Sequence, residues 1–288
     1  MAYKTIEHTL YTFGCSWTYG VGVGYYPKMT LQEYNQQAWG SAICNEKSFR
    51  GILADRLKIK NINYSKGGAS NDRNFRLLSE ILGDKETRKS FLESNPIVLF
   101  GITSTARIER NYKQEHRDTF LRTNISTLHF VDDDYQFNIE DVPLFWNDKE
   151  TLYQALHLKL YYSHPDEVKK LYHNMNLYNE IFDKFNVPVL WYDSFNTHDY
   201  PNKIDNYFGG QDLLTALLDY KKIKFNKTKW YHFSDWFDDD PRITLGIKNN
   251  LLNPYSVHPT EEGHKIIAQL LYPALSGVLS KLTLKSNF

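Results

Sequence analysis

The chain reads as an α/β fold built on a mostly parallel central sheet, and three observations predict it. Short, β-rich apolar runs alternate with stretches of helical apolar spacing. One run, Ile97-Val98-Leu99-Phe100-Gly101-Ile102, is apolar throughout, as suits a parallel strand covered on both faces. The three early strands end in glycine-bounded turns, and ligands of such sheets bind beyond the carboxyl ends of the strands.

Thr9-Leu10-Tyr11-Thr12-Phe13 is short and β-rich and stops at Gly14, which predicts the first strand. Ser48 to Leu57 carries Phe49, Ile52, Leu53 and Leu57 at helical spacing and predicts an amphipathic helix. Ile62-Asn63-Tyr64-Ser65 is a second strand candidate, ended by Lys66-Gly67-Gly68. Asn71 to Leu82 sets Phe75, Leu78 and Leu82 in a helical stripe before the Ile97–Ile102 strand. The next stretch, about residues 108 to 160, is irregular and rich in charge and aromatics. An insertion at about 108–185 is therefore expected within a single domain spanning 1–288. Helical periodicity returns from Pro165 to Phe185 through Val168, Leu171, Met175, Tyr178 and Ile181. Val187 to Tyr192 predicts a further buried strand, and a closing helix is expected from about Thr260 to Leu271.

Composition narrows the function classes. With 34 Lys and Arg against 34 Asp and Glu, no global field draws the chain to nucleic acid or an anionic membrane. Two cysteines, Cys15 and Cys44, exclude a disulfide framework. The opening Met-Ala-Tyr-Lys-Thr-Ile-Glu-His lacks the apolar segment of a signal peptide, and no apolar run reaches membrane-spanning length, so a cytoplasmic location is expected. No cofactor or metal is expected. His258 and His264 lack the i, i+4 spacing of a helical zinc pair, and there is no C-x-x-C. Asp132-Asp133-Asp134 and Asp238-Asp239-Asp240 lack EF-hand spacing, and Gly20-Val21-Gly22-Val23-Gly24 matches no phosphate-loop fingerprint. Lys221 to Tyr231 mixes lysines with aromatics and reads as a solvated surface segment.

The chemistry-bearing residues lie at opposite ends of the chain. Ser16 follows its strand by two residues between Gly14 and Gly20, where small neighbours let the backbone turn sharply and expose a hydroxyl. His258 precedes Pro259, which holds it extended, and Thr260 can cap the following helix. A serine becomes a nucleophile when a base reaches its hydroxyl, and His258 could be that base. Between them, the turns Gly67-Gly68-Ala69-Ser70-Asn71 and Gly101 to Arg107 offer amide and hydroxyl donors for an oxyanion. Taken singly, each of these features reads as an ordinary turn, cap or half-buried histidine.

Together, in this order, the segments resemble the SGNH (GDSL-type) hydrolases. Gly14-Cys15-Ser16 matches that family's Gly-Asp-Ser, Gly68 its oxyanion glycine, Gly101-Ile102-Thr103-Ser104 its Gly-x-Asn-Asp, and Tyr255-Ser256-Val257-His258-Pro259 its Asp-x-x-His-Pro. The variants Gly-Cys-Ser-Trp-Thr and Gly-Ile-Thr-Ser-x-x-Arg look most like divergent members common in phage genomes, which would make the chain virus-encoded. The resemblance implies a flavodoxin-like α/β/α sandwich and ester hydrolysis, with Ser16 as nucleophile and His258 as base. The oxyanion donors would be the amides of Ser16 and Gly68, completed by Thr103 or Asn71. Trp17 and Arg107 are the candidate substrate contacts, and the substrate would be a small-molecule ester or an O-acyl group on a glycan. Tyr255 stands where the family's orienting aspartate belongs. A backbone carbonyl, Asn253, or Asp193 on another loop could take that part. Two other functions fit the same residues: a fold that kept its shape as a binding protein, and an acyltransferase using the same pair.

Overall fold

A computed structural model of the protein describes residues 7–37, 40–105, 107–114, 117–123, 163–195, 197–225 and 240–285. Its centre is a four-stranded parallel sheet in the order β2-β1-β3-β6. These strands are β1 (Thr9–Phe13), β2 (Lys60–Asn63), β3 (Pro96–Ile102) and β6 (Val189–Asp193). Between β3 and β6 in sequence lies a separate antiparallel hairpin, β4 (Ile108–Gln114) with β5 (Arg117–Thr123). The sheet order reverses direction between β1 and β3, and in open parallel sheets that switch point is where ligands bind.

Period-two alternation divides the strand residues between two apolar layers. Leu10, Ile97, Leu99, Leu190 and Tyr192 face one side, packed with Phe49, Leu53, Leu217, Ile267 and Leu271 from the Phe49–Leu57, Leu213–Tyr220 and Glu261–Lys285 helices. Tyr11, Phe13, Val98, Phe100 and Trp191 face the other, packed with Phe75, Leu78, Met175 and Tyr178 from the Asn71–Gly83 and His164–Lys184 helices. This is the α/β/α sandwich the resemblance implies. Phe100 alone touches Phe13, Phe75 and Trp191 with ring centroids 4.9 to 5.6 Å apart. Burying a ring of this size stabilises the fold by about 1.5–3 kcal/mol.

Several expectations shift in detail. The second strand lies two residues earlier than the sequence pattern suggests, and the last helix runs past Leu271 through Pro273 to Lys285. The 108–185 stretch contains the β4–β5 hairpin and the His164–Lys184 helix, and the latter packs into the second layer. The rest of that stretch, including Asp132-Asp133-Asp134, lies outside the described residues, as do Asp238, Asp239 and 226–231 of the lysine-rich segment. No helix among the described residues is long and apolar enough to cross a membrane.

Candidate active site

The first turn is shaped by glycine geometry. Gly14 follows β1 at φ +152°, and a Cβ there would fall 2.8 Å from Thr18 Cβ. The chain can therefore turn into the short Ser16–Tyr19 helix only with glycine at this position. Arg50 secures the far end of that helix. Its buried guanidinium donates to the carbonyls of Thr18 and Tyr19 at 3.1 Å, to Cys44 O at 3.3 Å and to Asn45 Oδ1 at 2.7 Å. Burial pulls its pKa down to about 10, yet it remains a cation at neutral pH, well placed against helix carbonyls. A second tether joins Thr18 Oγ1 to Tyr192 OH at 2.6 Å.

His258 reaches this turn from the other end of the chain. A Cβ on Gly22, at φ +102°, would fall 2.9 Å from Asn253 Nδ2 and 3.1 Å from His258 Cβ. Gly22 thus permits the loop carrying His258 to dock against the segment carrying Ser16. The result is a hydrogen bond of 2.6 Å between His258 Nε2 and Ser16 Oγ, across 242 residues of sequence. Both residues are nearly closed off, Ser16 at 3% exposure and His258 at 7%. Burial lowers the His258 pKa to about 3; the Arg107 charge adds to the effect and a backbone bond at Ser256 opposes it. At neutral pH the imidazole is therefore uncharged and able to accept a proton.

The two intervening turns converge on the same end of the sheet. Lys66 N donates to Gly14 O at 3.2 Å, which draws the Lys66–Ala69 turn, with Gly68 at φ +66°, towards the Ser16 turn. Asn71 and Thr103 form a reciprocal pair, Asn71 Nδ2 to Thr103 O at 2.8 Å and Thr103 N to Asn71 Oδ1 at 2.9 Å. Asn71 is thus a clamp between the second and third turns. Thr103 Oγ1 accepts from Arg107 Nη1 at 3.0 Å, so its own hydroxyl proton is free to be donated elsewhere. Arg107 is buried with its guanidinium 5.1 Å from the Phe195 ring centroid.

Two further candidates remain. Trp17 is buried in the first apolar layer and packs on Phe195 at 5.9 Å. Asp193 is not brought to His258. Its fully buried carboxylate accepts from His198 N at 3.0 Å, Tyr200 OH at 3.2 Å and Tyr207 OH at 2.6 Å, and lies 3.1 Å from His198 Nδ1. Having lost its water, it needs these donors, and they hold it at the end of β6. Nδ1 of His258 instead faces Ser256 Oγ at 2.9 Å. Tyr255, at the position of the family's aspartate, points its hydroxyl to the Met29 carbonyl.

Three residues that shape the site, Arg50, Gly22 and Ser256, are not marked by the motifs, and Tyr34, whose hydroxyl meets Ser256 Oγ, is a fourth. Gly22 has a visible signal in the Gly20–Gly24 run, and Ser256 lies inside the segment Tyr255 to Pro259. Arg50 sits in a helical stretch where nothing marks it as buried. Among the described residues, no group of three or more His, Cys, Asp or Glu is placed to hold a metal ion.

Fold and site together define an α/β sandwich with a buried Ser–His pair at the switch point of its parallel sheet. No protein-family model matches the chain, and no curated protein sequence matches it. Among solved structures it is similar to a psychrotrophic esterase from Pseudoalteromonas sp. inhibited by monoethylphosphonate, at 13% identity over 95% of this chain and 100% of that one, TM-score 0.39. It is similar also to a carbohydrate esterase with divergent catalytic and non-catalytic binding functions, at 15% identity over 96% of this chain and 67% of that one, TM-score 0.39. A third is the lipase Lip_vut3 from a goat rumen metagenome, at 12% identity over 93% and 97%, TM-score 0.36.

Proposed function

We propose that the protein is a serine hydrolase of carboxylic esters, of SGNH type, with Ser16 as nucleophile and His258 as general base. The observation that carries this reading is the 2.6 Å bond between Ser16 Oγ and a neutral, buried His258 Nε2. In the acylation step Ser16 Oγ bonds to the ester carbonyl carbon while its proton passes to Nε2. Negative charge gathers on the former carbonyl oxygen. The amides of Ser16 and Gly68 and the Thr103 hydroxyl are its proposed donors. Collapse of the adduct breaks the bond to the alkoxy oxygen, which leaves as alcohol with the proton from Nε2. Water then attacks the acyl-enzyme, gives its proton to Nε2, and the acid departs as Ser16 recovers its hydrogen.

The Arg107 cation adds positive potential that favours the oxyanion while opposing the imidazolium. Without a carboxylate on Nδ1, turnover should be slow beside a full triad, where loss of the aspartate's role costs about 10⁴ in kcat. That feature keeps a weakly active binding protein as the second reading. The proposed substrate class is a small-molecule or glycan ester.

A fluorophosphonate probe tests the reading directly. Labelling of the wild type and none of Ser16→Ala, with turnover of p-nitrophenyl acetate, is the expected result. Folded protein that neither labels nor turns over the ester would sink the hydrolase reading and favour the binding one.

A further inference from the structure

We infer that Ser256, locked by Asn253 and Tyr34, is the positioning residue that orients His258, taking the part a carboxylate plays in a triad. The inference deepens the Ser16–His258 reading and rests on it. Hydrogen-bond arithmetic around Ser256 Oγ carries the argument. Asn253 Nδ2 donates to His258 O at 2.9 Å, which fixes the amide's orientation because a carbonyl only accepts. Asn253 Oδ1 must then be the atom that accepts from Tyr255 N at 3.2 Å, from Ser256 N at 2.8 Å and from Ser256 Oγ at 3.1 Å.

With its single proton committed to Asn253, Ser256 Oγ has only lone pairs left. It therefore accepts from His258 Nδ1, 2.9 Å away, and from the Tyr34 hydroxyl, which also touches it. Nδ1 must carry the imidazole proton, and Nε2 is left with its lone pair towards Ser16. This is the tautomer that a general base requires.

Backbone conformation supports the same assignment. Val257, between Ser256 and His258, sits at φ +55°, a left-handed conformation rare for a β-branched residue. The turn that holds it is closed twice, by Val257 N to Asn253 O at 3.0 Å and by Asn253 N to His258 O at 2.9 Å. The strained turn brings the side chain two residues before the histidine round to Nδ1. It also leaves Tyr255, three residues before, pointing away to Met29.

The test compares Ser256→Ala, Ser256→Thr and Ser256→Asp in the full-length protein, each checked by thermal melting. Two readouts are used: the rate of fluorophosphonate labelling against pH, and the His258 tautomer from imidazole ¹⁵N shifts, assigned with His258→Gln. Ser256→Ala should slow labelling about ten- to a hundredfold, the worth of one hydrogen bond to a charged group, and leave KM for p-nitrophenyl acetate unchanged. Its Nδ1–H signal should give way to a tautomer mixture. Ser256→Thr, which keeps the hydroxyl, should restore both. Ser256→Asp should move the acid limb of the labelling profile to higher pH, since a carboxylate at Nδ1 favours the imidazolium.

If Ser256→Ala keeps both the tautomer and the labelling rate, the Ser256 backbone carbonyl is enough and the inference is overturned. An unmoved acid limb in Ser256→Asp overturns it equally, and that arm stands even if the alanine variant does not fold. A wild type that never labels, but whose His258 tautomer is lost in Ser256→Ala, would sink the hydrolase reading and leave the positioning role intact.

Discussion

Gly22→Ala is the most direct probe of how the two halves of the site are held together, because the methyl it adds wedges between the segment carrying Ser16 and the loop carrying His258 while leaving both reacting groups chemically intact. The new Cβ would sit 2.9 Å from Asn253 Nδ2 and 3.1 Å from His258 Cβ, and it would press on the Pro259 carbonyl as well. Ordinary contact begins at 3.4 Å, so the 253–259 loop must retreat by at least 3.4 − 2.9 = 0.5 Å on its Asn253 side. A retreat of that size directed along the 2.6 Å bond between Ser16 and His258 would stretch it to about 3.1 Å, and the Pro259 contact asks for a larger movement of the loop. A misplacement on the order of 1 Å can cost about a hundredfold in rate. The φ of +102° adds about 1–2 kcal/mol of left-handed strain, so Tm should also fall by several degrees. The assay is kcat/KM for p-nitrophenyl acetate beside a thermal melt. Gly277→Ala serves as the control: its Cβ meets nothing within 4 Å in an exposed part of the last helix, and it should stabilise by about 0.5–1 kcal/mol. Wild-type kcat/KM in Gly22→Ala would refute the close-approach argument.

Thr103→Val removes the proposed hydroxyl donor while keeping the shape, and should lower kcat about 10²–10³-fold with little change in KM; steady-state kinetics on a folded variant checks it. Arg242 is buried between Asp212 and Asp240, at 2.8 Å from each. Arg242→Met should therefore cost about 3–5 kcal/mol in urea unfolding by stranding two carboxylates, and an unchanged midpoint would count against it. Since burial lowers the His258 pKa to about 3, phosphonate labelling should stay flat from about pH 8 to 5, with no acid limb near the ordinary value of about 6.5. His264, also lowered to about 3 by burial, adds to a stability effect of defined sign. The unfolded chain protonates these histidines first, so their contribution is full above about pH 6.5. It is lost as pH falls towards 3, at up to about 1.4 kcal/mol per unit for each. Urea melts at several pH values read that slope.

The parts of the fold legible in the sequence are those where one local pattern decides the outcome. β1 spans Thr9–Phe13 as read, because its apolar run ends at a glycine that alone fits the next turn. β2 starts two residues before the apolar run that suggests it, because Lys60-Asn61-Ile62-Asn63 is a half-exposed edge strand with no apolar alternation to mark its register. The Lys85–Glu93 helix has no apolar stripe to announce it, since Phe91 is its one buried residue. The site follows the same division. Ser16 and His258 are each announced by the glycine or proline beside them, and the fold needs only to bring the ends of β1 and the last loop together. The partner of His258 Nδ1 is set by a turn in which a valine adopts a conformation its own side chain disfavours, held there by bonds to Asn253. No residue-type pattern predicts that choice, since position by position the sequence argues against it. Sequence spacing therefore directs attention to Tyr255, three residues before the histidine, while the backbone delivers Ser256, two before. The same turn explains how a site without a carboxylate on Nδ1 can still present Nε2 to Ser16. The orienting role is moved from a charge to a strained, tightly bonded loop, and a hydroxyl there can fix the tautomer while stabilising an imidazolium less than a carboxylate would.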